Sequence, residues 1–409
     1  MQSSCHPRCQ PRGVPRFEPF RALRYNRVDQ NDVAAPPYDV LSDLDRQHLA
    51  DRDPHNIVLV DVPVEADGPS RYEAANRVLR SWISSGVLVV DDQPSYSIYR
   101  MTFDDENGRR RTTIGVIGAL EVVDEGAGGV LPHERTTPKA KTDRLDLTRA
   151  TLTNLSPVWG LSLAHGLTDL LVEPGEVVCR VTADGVEHVV ERVSDPARVA
   201  PIRDMVGSSD VVIADGHHRY AISRTFRDEQ RANDTGTHGS AELTMTYIGE
   251  LIEEQLSVDA IHRLYSGIDA DGLEQALAPF FDMSPVGVVT PAVTDAMKES
   301  GSLVLVRPDG TGVFLSPRAA MFEGVRDLDG ARLEHALANT PHEVTYQHGV
   351  QLVVDIVASG SAAAGVLIRP VTVREIQRTA DEGLLMPPKS TFFTPKLRTG
   401  PVIRPLDIR

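Results

Sequence analysis

The sequence predicts an α+β protein in which mixed sheets carry peripheral helices. Strand-like and helix-like patterns alternate along the 409 residues, but without the strict strand–helix–strand repeat of a doubly wound sheet. Asn-Gly or Asp-Gly pairs at 107–108, 184–185 and 309–310 each separate two strand-like runs and therefore predict hairpins. Hydrophobic residues make up 41% of the chain and charged residues 24%, a composition typical of a globular protein with a sizeable core.

The N-terminal part of the chain begins with a segment that has no structural pattern. Residues 1–16 contain three Pro, several Arg and no acidic residue, and they lack the apolar stretch of a signal peptide, so we expect a disordered tail. Ser42 is placed to cap a short helix near 44–49. The apolar run NIVLVDV at 56–62 predicts a buried strand.

Apolar residues at helical spacing predict most of the remaining helices. Between Tyr72 and Ile83 the pattern is amphipathic, and Gly86 is placed to end the helix. The last predicted helix has Thr372 as its cap and Gly383 as its stop. The same periodicity predicts helices near 143–155, 196–206, 219–232, 271–282, 330–339, 350–359 and 372–382.

The length of the chain predicts more than one domain. A shift in composition at 266–290 is the best candidate for a boundary. We therefore expect a catalytic domain at 17–268 and a C-terminal α+β domain at 269–409, the latter with a Lys-bearing segment that closes over the site.

Charge and composition exclude several classes of protein. The net charge of −16 argues against binding to a nucleic-acid backbone, which requires clustered cations. No apolar stretch is long enough for a membrane span. With only three Cys there is no disulfide framework, so we expect a reducing, cytoplasmic location. Nothing in the sequence indicates the oligomeric state.

The most informative motif is ADGHHR. An apolar strand at 211–213 is followed by the turn Asp215-Gly216 and then by a helical pattern, so the motif lies at a helix N-terminus, where backbone N–H groups favour anions. Asp215 supplies a carboxylate for a hydroxyl or for Mg²⁺. The alternative is a capped helix with surface His residues. The remaining polar members of the motif are His217, His218 and Arg219.

A second charged stretch, LPHERTTPKAKTDR, lies upstream. Its Glu134 follows a His and is a candidate general base, while its cations form a candidate phosphate clamp. The alternative is a solvated face of salt bridges. Position 137 is Thr, so the stretch does not contain the HExxH motif of zinc proteases. The candidate binding residues are His133, Arg135, Lys139, Lys141 and Arg144.

Lys is rare in this chain and concentrated in two places. Of 42 cationic residues only five are Lys, and four of these fall in the stretch above and in PPKSTFFTPK. The latter lacks the Gly-rich lead of a P-loop, so a Walker motif is excluded. It is either a segment that closes over a site or a docking strand. Its candidate ligands are Lys389, Ser390, Thr391 and Lys396.

A fourth stretch, APPYDV, places Tyr38 and Asp39 after two Pro, as a structural turn or as a substrate loop. APPYDV, LPHERT, ADGHHR and PPKSTFFTPK occur in this order between about Phe17 and Arg398, and together they resemble the bacterial and archaeal family catalogued as domain of unknown function 1015. The segment around Asp215 is also similar to the site of free serine kinases with a ParB/sulfiredoxin-like fold. This resemblance implies a ParB/sulfiredoxin-like core and phosphoryl transfer to a small hydroxylated amino acid, which would give O-phosphoserine.

The leading hypothesis is therefore a small-molecule serine kinase that uses Mg²⁺ with ATP, ADP or pyrophosphate as donor. Glu134, Asp215 and His217 are the expected catalytic residues, with Asp215 also the expected Mg²⁺ ligand. The expected partners are a free amino acid and the phosphoryl donor, without nucleic acid or membrane. The alternative from another class is a non-catalytic, ParB-like nucleotide-binding switch. Metal-dependent hydrolysis through His217 and His218 is the weakest hypothesis, because adjacent His side chains point apart.

Overall fold

The protein consists of two compact units. The first contains Met1–Leu256 and Pro395–Arg409, and the second is Ser257–Thr394. The computed structural model leaves the side chains of Lys141, Thr142 and His238 undescribed; the residues that it describes are 13–65, 70–104, 108–132, 141–233, 238–387 and 389–407. This division differs from the expected 17–268 and 269–409, because the last residues of the chain return to the first unit.

The first unit is built on a nine-stranded mixed sheet. Its path is β6-β11-β8-β12-β5-β4-β10-β9, with β1 paired to β5, and the pairs β6/β11 and β8/β12 are parallel. Strands β2 and β3 form a separate pair. The strands are β1 (Phe17–Glu18), β2 (Leu23–Tyr25), β3 (Leu88–Val90), β4 (Tyr96–Asp104), β5 (Arg110–Glu121), β6 (Val130–Pro132), β7 (Thr153–Asn154), β8 (Val158–Ser162), β9 (Glu176–Ala183), β10 (Val186–Val193), β11 (Val211–Asp215) and β12 (Leu243–Glu250).

Helices cover this sheet and pack on hydrophobic clusters, two of which involve the sheet face and the N-terminal helices. One cluster joins the sheet to helices on its face and includes Val211 and Ile213 of β11. The other lies under the N-terminal helices and includes Leu79 and Trp82. The helices are α1 (Asp43–Arg52), α2 (Val58–Asp61), α3 (Arg71–Ser84), α4 (Lys141–Thr151), α5 (Leu167–Leu171), α6 (Pro196–Val206), α7 (His217–Asn233) and α8 (His238–Ala241).

The second unit has a six-stranded antiparallel sheet in the order β15-β17-β16-β19-β14-β18. Its strands are β13 (Val258–Asp259), β14 (Ile261–Ser266), β15 (Phe281–Val288), β16 (Leu303–Val306), β17 (Thr311–Pro317), β18 (Glu343–His348), β19 (Ala364–Leu367) and β20 (Phe392–Phe393). Its helices are α9 (Ala270–Leu277), α10 (Val293–Ser300), α11 (Asp329–Ala336), α12 (Val350–Ala358) and α13 (Val373–Asp381). The chain then returns to the first unit, where β21 (Arg404–Pro405) pairs with β7.

These elements confirm the predicted α+β class with mixed sheets and peripheral helices. The turn at Asp184-Gly185 joins β9 and β10 with both residues at positive φ, as a two-residue hairpin requires. Thr372 forms the expected capping box with Glu375 at the start of α13. In the part of the chain that the structure describes, no helix has the length and apolar character of a membrane span.

Two predictions of local structure were wrong. The run at 56–62 contains the short helix α2 instead of a strand, because the side chain of Asn56 accepts a hydrogen bond from the backbone N–H of Val58 and starts a turn. The helix predicted at 271–282 ends before Pro279, which removes a backbone donor, and Phe281 begins β15. Within the expected tail, residues 1–12 lie outside the described residues, whereas Arg16 is hydrogen bonded to Glu121.

Candidate functional site

The ADGHHR motif forms a strand, a tight turn and a helix, as its sequence predicts. Asp215 is the last residue of the buried strand β11, and His217 begins the 17-residue helix α7. Gly216 between them has φ +83, and its carbonyl accepts the first helical hydrogen bond, from Tyr220. A residue with a Cβ is strained at this φ, so Gly lets the chain turn from the sheet edge directly into α7.

Gly216→Ala is expected to destabilise the protein more than the same change at Gly185. Both Gly have positive φ, so each substitution costs about 1 kcal/mol or more in backbone strain. At Gly216 the new Cβ would also lie 2.9 Å from Nε of Arg219, whereas around Gly185 there is open space. We therefore expect Gly216→Ala to cost at least about 1 kcal/mol more in urea unfolding, through the displaced hydrogen bonds of the guanidinium. Equal losses of unfolding free energy in the two variants would show that the side chain of Arg219 is not held in place.

Two cations meet on the carboxylate of Asp215. Nζ of Lys396 and Nη2 of Arg219 each lie 3.2 Å from its Oδ2. Arg219 also donates to the backbone carbonyl of Pro157, which fixes the guanidinium on the other side. The Asp215 side chain is 27% exposed and that of Lys396 is 19% exposed. Because two cations share one carboxylate, these three side chains together carry one net positive charge, and all three line a cavity.

The cations also determine the ionisation of Asp215. Burial opposes ionisation, but Lys396 and Arg219 outweigh it and hold the pKa of this carboxyl well below its usual range. Burial opposes the charged form of Arg219, but attraction to Asp215, Asp39 and Asp61 outweighs this effect and raises its pKa. Asp215 is therefore a carboxylate at neutral pH, and its role is that of an anion rather than of a general acid.

A second charged cluster is centred on Arg144 of α4. Its Nη1 lies 3.2 Å from Oδ1 of Asp61, and its Nη2 lies 2.8 Å from Oδ2 of Asp143. The guanidinium stacks at 4.3 Å over the ring of Tyr38, and the hydroxyl of Tyr72 donates to Asp143. Arg144 was predicted to bind phosphate, but in the structure its N–H groups hold two carboxylates.

The two clusters face neighbouring cavities. One is lined by Asp215, Lys396 and Arg219 together with Trp159. The other is a more open cleft, lined by Tyr38, Asp61 and Arg144 and again by Arg219. Ser156 also lines both. The two cavities are therefore adjacent parts of one polar site in the first unit.

The topology of the sheet brings a further motif to this edge. Strands β6 and β11 are parallel, and Pro132 at the end of β6 pairs with Ile213, two residues before Asp215. The chain thus leaves β6 beside β11, at the same edge of the sheet, and the LPHERT motif continues from there. Four predicted site residues of this motif lie outside the described residues, and their roles stay predictions: His133, Glu134, Arg135 and Lys139.

The other predicted site residues are divided between the two units. Tyr38 is half-buried and Asp39 exposed at a 3₁₀ turn, while His217 and His218 are half-buried at the start of α7. Lys141 begins α4, but only its backbone is described. Three further candidates belong to the second unit: Lys389, Ser390 and Thr391. There, Arg263 donates to the carbonyl of Lys389. The roles predicted for these three residues stay predictions.

Sequence reasoning missed Asp61. It lies within the run at 56–62 that was interpreted as a strand, and a single carboxylate in such an apolar run was the available signal. The side chain is only 4% exposed. Burial raises the pKa of its carboxyl, and attraction to Arg144 and Arg219 opposes this rise. A buried carboxylate beside a cleft is a feature of functional sites.

The described residues could hold Mg²⁺ only together with a bound phosphate ligand that supplies most of its oxygen ligands. Within those parts of the chain, no three His, Cys, Asp or Glu side chains gather into a metal-binding group. Mg²⁺ commonly takes one or two protein carboxylates and completes its shell with water and phosphate oxygens. Since Oδ2 of Asp215 is held by Lys396 and Arg219, Oδ1 is the oxygen that such an ion would meet.

Several solved structures share a partial likeness with this chain. A conserved hypothetical protein from Pyrococcus furiosus has 12% identity and a TM-score of 0.37 over 68% of this chain and 94% of its own. A free serine kinase in complex with AMP has 13% identity and a TM-score of 0.37 over 68% and 89%. SbnI with a C-terminal truncation, from Staphylococcus aureus, has 14% identity and a TM-score of 0.39 over 71% and 87%. Likeness at this level supports no inference about activity, and the ParB/sulfiredoxin-like core stays a prediction.

The family of the chain is identified from its sequence. No curated protein matches the chain. A family model matches residues 17–331, a segment that contains APPYDV, LPHERT and ADGHHR. The chain therefore belongs to the family described as "Protein of unknown function (DUF1015)".

Proposed function

We propose that this protein is a small-molecule kinase that transfers a phosphoryl group to the hydroxyl of a free amino acid, with L-serine as the acceptor. The observation that carries the proposal is the net positive group formed by Lys396, Arg219 and Asp215 at a helix N-terminus beside a polar cleft. Phosphoryl transfer depends mainly on positioning and on stabilising the charge of the phosphate oxygens. The sequence resemblance around Asp215 supports the same activity.

The donor phosphate would lie against α7. The first N–H groups of a helix have no partners within the helix, so at α7 they add to the field of Lys396 and Arg219. Asp215 fixes the positions of both cations, because it accepts hydrogen bonds from each. When bound, Mg²⁺ would neutralise charge on the phosphate oxygens, with Asp215 as its protein ligand.

The acceptor hydroxyl attacks the terminal phosphorus of the donor. A bond forms between the hydroxyl oxygen and phosphorus, the bond from phosphorus to the leaving oxygen breaks, and the hydroxyl proton passes to a carboxylate. We assign this carboxylate to Glu134, because the segment that carries it leaves the sheet beside β11. Asp215 is committed to Lys396 and Arg219, and Asp143 to Arg144 and Tyr72.

Glu134→Gln is expected to lower the rate of phosphoryl transfer about 10²-fold or more while donor binding is retained. The change keeps the shape of the side chain and removes its charge, so it tests the role of a base. Rates would be followed by phosphoserine formation and donor affinity by calorimetry. Glu125→Gln, an exposed Glu whose carboxylate contacts Arg224, is the control and should retain the wild-type rate. An unchanged rate in Glu134→Gln would move the assignment to His133 or Asp215.

The proposed function is tested by a screen of donors against acceptors. ATP, ADP and pyrophosphate would each be incubated with L-serine, L-threonine and L-homoserine in the presence of Mg²⁺. Formation of O-phosphoserine supports the proposal. Slow hydrolysis of a nucleotide donor, unaffected by any acceptor, would instead support the nucleotide-binding switch.

A further inference from the structure

Most of the residues that line the cleft next to the Asp215 cavity have side chains with a polar group. The aliphatic residues that line it are Leu147, Leu155 and Ile222. Hydroxyl-bearing side chains dominate the rest: Tyr38, Thr148, Thr153, Ser156, Ser223 and Thr244. These hydroxyl groups can hydrogen bond to a small polar ligand.

Asp61 is the acidic side chain among the residues that line this cleft. Its Oδ1 is paired with Arg144, but its buried Oδ2 has no hydrogen-bond partner among the described residues. A buried charged oxygen without a donor is costly, and a ligand that supplies a donor removes that cost. The strongest such donor is a cationic N–H group.

We propose that Asp61 binds the α-ammonium group of the acceptor and so restricts the site to free amino acids. This inference rests on the proposed function for the identity of the acceptor. An ammonium at Asp61 would orient the rest of the molecule toward Arg219, which lines both cavities, and hence toward the phosphate subsite at Asp215 and Lys396. A Ser within a polypeptide has no α-ammonium, so it would leave the Asp61 carboxylate unpaired.

Burial of Asp61 supports this assignment. The pKa of its carboxyl is raised by burial, and a cation that binds beside it would favour the ionised form. Arg144 already holds Oδ1, so the carboxylate is fixed in orientation before the ligand arrives. A fixed carboxyl group with one unsatisfied oxygen discriminates strongly between ligands with and without the matching donor.

The test is a ligand series that differs only at the amino group. L-Serine, 3-hydroxypropionate, which lacks the amine, and N-acetyl-L-serine, which lacks its charge, would be titrated into the wild-type protein by calorimetry. The titrations would be made alone and with pyrophosphate present, so that they do not depend on turnover. We expect L-serine to bind at least about tenfold more tightly than either analogue, as for one charged hydrogen bond.

The Asp61→Asn variant tests whether the Asp61 carboxylate causes the preference for L-serine over its analogues. We expect its ratio of affinities for L-serine and 3-hydroxypropionate to fall toward one. Asp91→Asn is the matched control, because it also removes a buried carboxylate from an Arg, here Arg24, but does not line the cleft. It should keep the wild-type ratio. If Asp61→Asn does not fold, the ligand series on the wild type still decides the point.

Equal affinity of the wild type for serine and 3-hydroxypropionate would overturn the proposal, as would an unchanged ratio in Asp61→Asn. Failure of L-serine to bind would also overturn the proposal. Displacement of bound L-serine by adenosine would overturn it too, because it would show that the cleft holds the nucleobase of a nucleotide. Serine binding with the expected ratio but without phosphoserine formation from any donor would support the role of Asp61 and contradict the kinase function.

Discussion

Asp215→Asn is expected to lower the rate of phosphoryl transfer at least about 10²-fold, the size of one lost charge contribution in a catalytic site. The carboxylate holds Lys396 and Arg219 at 3.2 Å each, and Asn would neutralise it while keeping nearly the same shape. Both cations would then lose the carboxylate that they share, and any Mg²⁺ would lose its protein carboxylate. The rate would be measured by phosphoserine formation under saturating serine.

The same variant is expected to fold. The side chain is 27% exposed, so loss of its ion pairs costs about 1–2 kcal/mol, which in a unit of this size lowers the melting temperature by a few degrees. Asp91→Asn provides the comparison, since Asp91 is paired with buried Arg24 outside both cavities. That control should lose stability but retain transfer. If Asp215→Asn unfolds instead, the main role of Asp215 is to hold the start of α7.

Lys396→Met is expected to lower kcat/KM for the donor by about 10²-fold or more. Met keeps the length of the side chain but removes the charge that faces the Asp215 cavity, so the donor phosphate loses one of its two described cations. Serine affinity measured in the absence of donor should change little, because Lys396 does not line the cleft of Asp61. Equal losses of donor and serine affinity would indicate a general structural effect.

The pH–rate profiles of Lys396→Arg and Lys396→Met distinguish an effect of the Lys396 charge from a general structural effect. Lys396 is the largest of the attractions that hold the pKa of Asp215 low, so its removal lets that pKa rise toward the usual value. Since activity requires the ionised carboxylate, the acid limb of the pH–rate profile should move to higher pH in Lys396→Met. In Lys396→Arg it should stay near the wild-type position. Coincident profiles in all three proteins would contradict the role of this pair.

The part of the site that sequence analysis predicted well is local. Asp215, Gly216 and Arg219 lie within five positions, and an apolar strand followed by Asp-Gly and a helical pattern predicts their arrangement without any distant contact. Lys396 was identified as a candidate because Lys is rare in this chain. Its ion pair with Asp215 spans 181 positions and follows from the return of the last residues to the first unit, which no local pattern indicates.

The part that was missed depends on tertiary structure. The seven-residue run at 56–62, with five apolar residues, fits a buried strand or a buried helical turn, and the hydrogen bond to the side chain of Asn56 favours α2. Only with this helix in place does Asp61 meet Arg144 of α4. The carbonyl of Pro157, which holds Arg219, is equally invisible in a sequence, because a backbone acceptor carries no side-chain signal.

The most direct test of this account is ³¹P NMR of the wild-type protein with L-serine, Mg²⁺ and each of ATP, ADP and pyrophosphate, run beside Asp215→Asn and Asp91→Asn. We predict an O-phosphoserine signal from at least one donor in the wild type and in Asp91→Asn, and its loss in Asp215→Asn. The absence of phosphoserine from every donor in the wild type, or its equal formation in Asp215→Asn, would contradict the account.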